Sequence, residues 1–267
     1  MKSNLAAAAL VTLLFVAFEP RAEEIVTIST RAGTTQSFLL ASPEKSAPEA
    51  VAILFPGGSG LIRLRNEGGR IRFGEGNFLL RSRQLFVERG VVAAVMDAPS
   101  DQAQGMDDRF RLGDNHATDV AAVVTELRKR YVNIPVFLAG TSRGSISVAS
   151  LGRILGSSIA GATLTSTLFR GGARFGPALD GFDFSKISTP VLVVHHVNDG
   201  CRESPYRDAK QLAESQRYPL ISVSGGNPPT SEPCEAFTPH GYLGRETETV
   251  DAIVNWMLKK PYPVNIE

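Results

Sequence analysis

The fold is decided by nine consecutive residues near the middle of the chain: Val136-Phe137-Leu138-Ala139-Gly140-Thr141-Ser142-Arg143-Gly144. The apolar start of this segment predicts a buried strand over residues 135–139, and the pattern over 146–155 predicts a helix. A serine at a sharp strand-to-helix turn tolerates only small residues two positions before and two positions after it. Gly140 and Gly144 occupy those positions. The segment therefore predicts a tight turn that presents the Ser142 hydroxyl, and the alternative is a glycine-rich turn without chemistry.

Short apolar runs alternate with amphipathic stretches on both sides of this turn. Strands are predicted over residues 25–29, 36–41, 51–55, 91–96, 159–165, 191–194 and 220–223, the first two as an antiparallel pair. Helices are predicted over residues 78–89, 117–131, 146–155 and 246–259, and a loop over 61–76. This alternation is typical of an α/β domain with a mostly parallel central sheet and helices on both faces. We expect one such domain over residues 23–267.

The composition is that of an ordinary globular chain, and it argues against several classes of function. The 267 residues are 43% apolar and 21% charged, which suits one domain with a large core. The formal net charge of +1 gives no reason to expect a nucleic-acid partner. The two cysteines and four histidines lack the spacing of zinc ligands, so we expect no metal and no other cofactor. The oligomeric state stays open.

The first 22 residues have the pattern of a secretory signal peptide. Lys2 provides a positive start, and residues 5–18 are apolar apart from one threonine. That stretch is shorter than the roughly 20 residues that a transmembrane helix needs. We expect cleavage after Ala22, no membrane insertion once the signal is removed, and a secreted or periplasmic mature protein. The alternatives are an uncleaved N-terminal anchor and a buried helix.

The strand, the turn around Ser142 and the helix after it make the chain similar to the α/β-hydrolase superfamily. The resemblance covers nearly all of residues 23–267 and implies the α/β-hydrolase fold, with a nucleophile, an acid and a histidine in that chain order. Ser142 matches the nucleophile. The connection between the strands predicted at 159–165 and 191–194 has roughly 25 residues, which is too short for a separate lid domain. We therefore expect a lidless, open site.

The same resemblance assigns the acid and the base. Asp199 is the first carboxylate after the strand at 191–194, and His240 lies in the loop before the C-terminal helix. His240 would deprotonate Ser142, and Asp199 would hold the imidazole in the required tautomer. The alternatives are a surface-loop role for His240 and a turn-capping role for Asp199. Asp180 and Asp183 compete for the acid position but precede the strand.

Two backbone N–H groups are expected to form an oxyanion hole. One belongs to Arg143, the residue after Ser142. The resemblance places the other in the turn after the strand at 51–55, and there Gly58 is the best match. Pro56 stands where many esterases have a histidine, so this match is partial. The alternative is a plain glycine turn.

The two cysteines are expected to form one disulfide, because an even, minimal count in an exported chain favours a bridge over free thiols. Cys201 follows Asp199 by two residues, and Cys234 precedes His240 by six. A Cys201–Cys234 bridge would therefore bring the predicted acid loop close to the predicted base loop.

Other polar residues are given structural roles. We expect His195 and His196 to end a core strand, and His116 to cap a helix or lie on the surface. Asp97 is expected to organise the turn after its strand. A basic segment is expected to be a solvated face, with an anchor for an acidic substrate group as the alternative. Its members are Arg63, Arg65, Arg70, Arg72, Arg81 and Arg83.

Together these residues predict a secreted serine hydrolase that cleaves a small or accessible carboxylic ester through an acyl-enzyme. One alternative is a peptidase, an amidase or an acyltransferase, because the fold accommodates all three. Another is a non-catalytic binding protein, which would not require Ser142, Asp199 and His240 together.

Overall fold

The computed structural model describes residues 23–44, 46–74, 76–172 and 175–267. The signal peptide predicted over residues 1–22 lies outside these ranges. The strands are β1 (Glu23–Arg31), β2 (Thr34–Ala41), β3 (Ala50–Phe55), β4 (Arg65–Glu67), β5 (Arg70–Arg72), β6 (Val91–Met96), β7 (Val136–Thr141), β8 (Gly161–Thr165), β9 (Val191–His196), β10 (Leu220–Val223) and β11 (Asn265–Ile266). The helices are α1 (Phe78–Arg81), α2 (Arg83–Glu88), α3 (Asp108–Leu112), α4 (Asp114–Arg130), α5 (Gly144–Leu155), α6 (Tyr206–Gln216) and α7 (Glu246–Met257).

Nine strands form one sheet in the order β1-β2-β6-β3-β7-β8-β9-β10-β11. In this order, the strands β6, β3, β7, β8, β9, β10 and β11 run parallel to one another. Strands β1 and β2 add an antiparallel edge. The carboxyl ends of parallel strands meet at one edge of a sheet, and ligands bind in the crevice outside that edge. The loops after β3, β7, β8, β9 and β10 are therefore brought to a common place.

Side chains that alternate along the buried strands serve two cores. In β3, Val51, Ile53 and Phe55 pack on the face that carries α4, α5 and α6. Ala52 and Leu54 pack on the opposite face with α1, α2 and α7. All six residues of β3 are buried, as expected for a central parallel strand with helices on both sides. The predicted α/β architecture is therefore confirmed.

The structure differs from several of the local predictions. The helix predicted over 78–89 is interrupted at Ser82, and Asn77 caps its first part by accepting a hydrogen bond from the Leu79 N–H. The loop predicted over 61–76 contains the hairpin of β4 and β5. The sequence did not predict α3, α6 or β11. In α6 only Ala209, Leu212 and Ala213 are buried, so few apolar residues mark its period.

The connection between β8 and β9 contains no α-helix in its described residues, only a short 3-10 turn at Phe184–Lys186. Within the part of the chain that the structure describes, no large lid covers the carboxyl edge of the sheet, as predicted. Among the described residues, no helix is both long and apolar enough to cross a bilayer.

Candidate active site

Ser142 lies at the tight turn between β7 and α5. Its φ angle of 53° is in the left-handed region, which side-chain-bearing residues adopt only under constraint. The constraint comes from close backbone packing. A Cβ atom on Gly140 would overlap the Gly144 carbonyl, and a Cβ atom on Gly144 would overlap the Phe55 carbonyl at the end of β3. The two flanking glycines thus allow the turn to pack against the sheet.

Asp199 and His240 come together across the ends of β9 and β10. The His240 Nδ1 atom lies 2.8 Å from Asp199 Oδ2, and the carboxylate side chain has no solvent exposure. A carboxylate only accepts hydrogen bonds, so Nδ1 carries the proton and Nε2 of the neutral ring is an acceptor. Nε2 is buried and has no hydrogen-bond partner among the described residues.

Three further groups donate hydrogen bonds to Asp199 or approach it. The Cys201 N–H donates to Oδ1 at 2.9 Å, and the Ser204 hydroxyl donates to Oδ2 at 3.2 Å. The His195 Nε2 atom lies 3.4 Å from Oδ2. Burial by itself raises the pKa of the Asp199 carboxyl, but the hydrogen bonds from His195 and His240 outweigh it and hold the pKa below its usual range. The carboxylate is therefore charged at neutral pH.

His195 is fully buried and does not line the cavity beside Ser142. Its Nε2 donates to the Ser204 carbonyl at 2.9 Å and approaches Oδ2 of Asp199, the same oxygen that His240 contacts. The expected structural role agrees with this position, and the contact with Asp199 was not anticipated. The sequence signal that would have predicted this contact is the histidine four residues before the acid, at the end of a strand.

Long-range contacts hold the backbone around His240. The Ser166 hydroxyl donates to the His240 carbonyl at 2.7 Å. The buried Tyr242 hydroxyl donates to the Val194 carbonyl at 2.8 Å and accepts from the Ser166 N–H at 3.0 Å. The Arg81 guanidinium donates to the Gly241 carbonyl at 2.5 Å and forms an ion pair with Glu246 at 2.8 Å. The imidazole therefore lies on a backbone with few degrees of freedom.

The turn after β3 lies directly against Ser142. A Cβ atom on Gly57 would lie 3.0 Å from the Ser142 Cβ atom, so a side chain there would push the two turns apart by a few tenths of an ångström. Gly58 adopts a φ of 57°, and no described group accepts a hydrogen bond from its N–H or from that of Arg143. Both residues line the cavity beside Ser142. Two free donors thus lie near the hydroxyl, as an oxyanion hole requires.

The Arg143 side chain makes contacts that are separate from those of its backbone N–H. It is mostly buried, forms an ion pair with the fully buried Asp108, and stacks over the Phe175 ring at 4.2 Å. The Asp108 carboxylate also accepts the Ala178 N–H at 2.8 Å. These contacts fix the wall of the cavity beside the turn.

Cys201 and Cys234 form the expected disulfide. Glu203 lies against it, with its Oε2 atom 3.2 Å from the Cys201 sulfur and 3.0 Å from the Cys234 sulfur. Disulfide sulfurs carry no proton, so these contacts are close approaches of a carboxylate and not hydrogen bonds. The bridge joins the loop of Asp199 to the segment that leads to His240.

A cavity of about 580 Å³ opens at this edge of the sheet. Ser142 and His240 both line it, and its remaining wall mixes apolar with acidic side chains. The apolar contributors are Phe78, Leu168 and Phe175, and the acidic ones are Glu203 and Glu235. Its size suits a small organic molecule.

Other predicted residues lie outside the cavity. The expectation for His116 was wrong: it is buried between the Phe55 and Phe110 rings, because its helix packs inward there. Burial, with the nearby Arg111 and Arg31 charges, lowers its pKa to about 3. The His196 Nδ1 atom accepts a hydrogen bond from the Asn198 N–H at 3.1 Å, and its Nε2 donates to the Gly225 carbonyl at 3.0 Å.

Asp97 has the expected structural role, and the basic segment divides into two groups: Arg63, Arg65, Arg70 and Arg72 are exposed, as expected of a solvated face, and Arg81 and Arg83 are not. The Asp97 carboxylate accepts the Ile62 and Leu64 N–H groups, each at 2.8 Å, and so anchors the loop after β3. Arg81 and Arg83 form ion pairs with Glu246 and Glu23 and are mostly buried, so the expected solvated face does not describe them. The competing acids Asp180 and Asp183 do not line the cavity.

Neither a protein-family model nor a curated protein sequence matches the chain. Solved structures do. Est1E from Butyrivibrio proteoclasticus, also solved with ferulic acid bound, superposes with a TM-score of 0.61 at 17% identity, covering 88% of this chain and 98% of that one. XC6422 from Xanthomonas campestris, an α/β serine hydrolase without a lid, gives 0.57 at 16%, covering 87% and 96%. Oligopeptidase B from Leishmania major gives 0.60 at 11%, covering 91% of this chain and 38% of that one.

The likeness to these proteins extends over most of the described residues, and the sheet order and the turn after β7 agree with it. The chain therefore has the α/β-hydrolase fold, in a lidless form with a disulfide between the loops after β9 and β10.

Proposed function

We propose that the protein is a serine hydrolase whose nucleophile, base and acid are Ser142, His240 and Asp199. One observation carries the proposal. The His240 ring is bound through Nδ1 to a buried, charged Asp199, while its Nε2 is left unpartnered at a cavity that Ser142 lines. A buried acceptor without a partner costs free energy, so its retention beside a serine is expected where it accepts a proton.

The reaction follows from these positions. The Ser142 oxygen attacks the acyl carbon, and its proton moves to His240 Nε2. The Arg143 and Gly58 N–H groups stabilise the oxyanion. The alcohol leaves with the proton from His240, and an acyl-serine remains. Water then attacks the acyl carbon, gives its proton to His240, and releases the carboxylic acid together with the free Ser142 hydroxyl. Asp199 stabilises the imidazolium in both halves of the cycle.

We propose a carboxylic ester of a small molecule as the substrate. The cavity is open and of small-molecule size, and its wall offers aromatic contacts from Phe78 and Phe175. Est1E, which binds ferulic acid in its crystal structure, supports an ester of this size. The likeness to a domain of oligopeptidase B keeps peptide bonds as the alternative substrate. The disulfide supports export to a secreted or periplasmic location.

The test begins with a fluorophosphonate probe, which reacts with activated serines. We expect labelling of the protein, and no labelling of the Ser142→Ala variant. Ser145→Ala is the control, because Ser145 lies on the same turn but its hydroxyl is bonded to the Ser142 carbonyl at 2.6 Å. Absence of labelling in the unsubstituted protein would favour a non-catalytic binding role.

A substrate panel then separates the chemistry. We expect p-nitrophenyl esters of short acyl chains to be hydrolysed faster than aminoacyl amides of matched size. Faster turnover of the amides would indicate a peptidase. Transfer of the acyl group to added alcohols in preference to water would indicate an acyltransferase.

A further inference from the structure

Arg111 is the largest fully buried side chain of the described residues, with 1% of its surface exposed. It lies on α3, behind the turn that follows β3. No carboxylate among the described residues comes within ion-pair distance of it. Its hydrogen-bond partners are two neutral groups. A buried cation without a directly bound anion is costly, so a stabilising role in packing alone does not account for it.

The two bonds of Arg111 join the two sides of the proposed oxyanion hole. One guanidinium nitrogen donates to the Gly58 carbonyl at 3.2 Å, and the other donates to the Ser147 hydroxyl at 3.0 Å. Gly58 carries one proposed donor. Ser147 lies in the first turn of α5, directly after the turn that presents the Arg143 N–H. Arg111 therefore connects the loop that carries one donor to the helix that directly follows the other donor.

The turn after β3 is built around this side chain. Gly60 has a φ of 75°, and a Cβ atom there would lie 2.8 Å from an Arg111 guanidinium nitrogen. Gly58 is also in the left-handed region and has no side chain to restrict it, so the chain at this residue needs an external contact to hold one conformation. The bond from Arg111 to its carbonyl, which belongs to the Gly58–Ser59 peptide, holds the chain directly after the Gly58 N–H.

Arg111 also keeps its charge. Burial, together with the neighbouring Arg143 charge, lowers its pKa to about 9, so it is a cation at neutral pH. The Asp108 and Asp107 carboxylates on and beside α3 favour that charge from a distance. A fixed positive charge in a water-excluded region favours a negative charge that develops nearby.

We propose that Arg111 is a positioning residue for the oxyanion hole: by binding the Gly58 carbonyl and the Ser147 hydroxyl it holds the chain next to the Gly58 N–H in place against α5, and its charge favours the oxyanion. This inference rests on the proposed serine-hydrolase function. It adds a residue that does not line the cavity and that no local motif marks.

The experiment compares Arg111→Met, Arg111→Lys and Ser147→Ala with Ser150→Ala as the control. Ser150 is equally buried on α5 and links it to α3 through the Leu112 carbonyl, but it does not touch the turn after β3. We expect Arg111→Met to lower kcat by about 10- to 100-fold, below the loss from deleting a whole donor, with KM changed by less than about 3-fold. Binding of a trifluoromethyl ketone, which forms an oxyanion on Ser142, should weaken by the same factor as kcat/KM. Binding of the product carboxylate should not change.

Arg111→Lys keeps the charge but reaches only one partner, so an intermediate loss is expected, and Ser147→Ala should give a smaller one. If Arg111→Met does not fold, as judged by circular dichroism, the lysine variant decides the question. A folded Arg111 variant with unchanged kcat and ketone affinity would overturn the proposal, and so would an equal loss in Ser150→Ala. Failure of the function itself is recognised separately, because the unsubstituted protein would then not react with a fluorophosphonate.

Discussion

The turn that carries Ser142 and the loop that carries His240 are positioned in different ways. Ser142 lies between consecutive elements, and its turn is shaped by glycines two residues away and by the end of β3. His240 lies in a 3-10 turn at Pro239–Gly241 whose partners are distant in sequence. Asp199, Ser166 and Arg81 contact this loop across separations of 41, 74 and 160 residues. One half of the site is built locally, and the other is assembled by the whole fold.

Because of this difference, substitutions in the two regions should have different effects on stability and activity. A side chain added at the serine turn overlaps backbone atoms that are fixed by the sheet. It should therefore lower stability and activity together. Loss of one long-range contact to the histidine loop should reduce activity more than stability. The remaining contacts keep the loop folded, but they no longer hold the imidazole in its exact position.

The largest expected effect is at Asp199. Asp199→Asn should lower kcat by on the order of 10³- to 10⁴-fold, because an amide does not hold His240 in the required tautomer or stabilise the imidazolium. The measurement is ester hydrolysis under saturating substrate. A loss of less than tenfold would mean that another group serves as the acid.

The same variant tests the pH dependence of stability. The folded protein holds the Asp199 pKa below its unfolded value of about 3.9. The stabilisation by this charge is therefore complete above that pH and is lost as the pH falls toward the folded pKa. In urea unfolding, the difference between the original protein and Asp199→Asn should be larger at pH 6 than at pH 3. An equal difference at both would contradict the assigned shift.

At the serine turn, Gly144→Ala should lower the free energy of unfolding by about 3 kcal/mol and reduce activity in the same preparations, because the new Cβ atom overlaps the Phe55 carbonyl. Gly74→Ala is the control: its nearest neighbour would be 3.9 Å away, so a change within about 0.5 kcal/mol is expected. Denaturant titration measures both. Similar stability of the two variants would show that the turn relaxes.

For the histidine loop, Arg81→Met should lower kcat by about 10-fold, because the Gly241 carbonyl loses its donor and small displacements of a catalytic group are costly. Arg83→Met is a matched control. Arg83 is as buried, with 15% exposure against 17%, and is also paired with a glutamate, but it does not touch the loop. Both variants should lose similar stability. A loss of kcat of the same size in both variants would show that the Arg81 contact with the Gly241 carbonyl has no specific effect on catalysis.

The smallest effect is expected at the disulfide. Glu203→Gln should speed reduction of Cys201–Cys234 by glutathione by about 5-fold, since the carboxylate beside both sulfurs repels an attacking thiolate. Glu232→Gln, an exposed glutamate in the same loop region, is the control and should react at the original rate. Thiol trapping over time gives the rates. Acceleration in both variants would point to overall charge and not to this contact.

Much of the fold was predictable because its signals are local. Continuous apolar runs marked β3, β6 and β9, and alternation with helical stretches indicated a parallel sheet. The elements that escaped prediction have weak signals of their own: α6 buries few residues, and β11 has only two. His116 was misplaced because a polar side chain near a helix start gives no sign that two phenylalanine rings enclose it.

The serine turn follows from local sequence, since the clash that requires Gly140 and Gly144 arises from residues close along the chain and from one neighbouring strand. The resemblance predicted that Asp199 and His240 act together, and the structure brings their side chains within 2.8 Å of each other. The surroundings of these residues depend on tertiary contacts: the second histidine on Asp199, the Arg81 contact, and the buried Arg111 between Gly58 and Ser147. These contacts join residues far apart in sequence, and no spacing or periodicity records which side chains meet once the sheet brings its loops together.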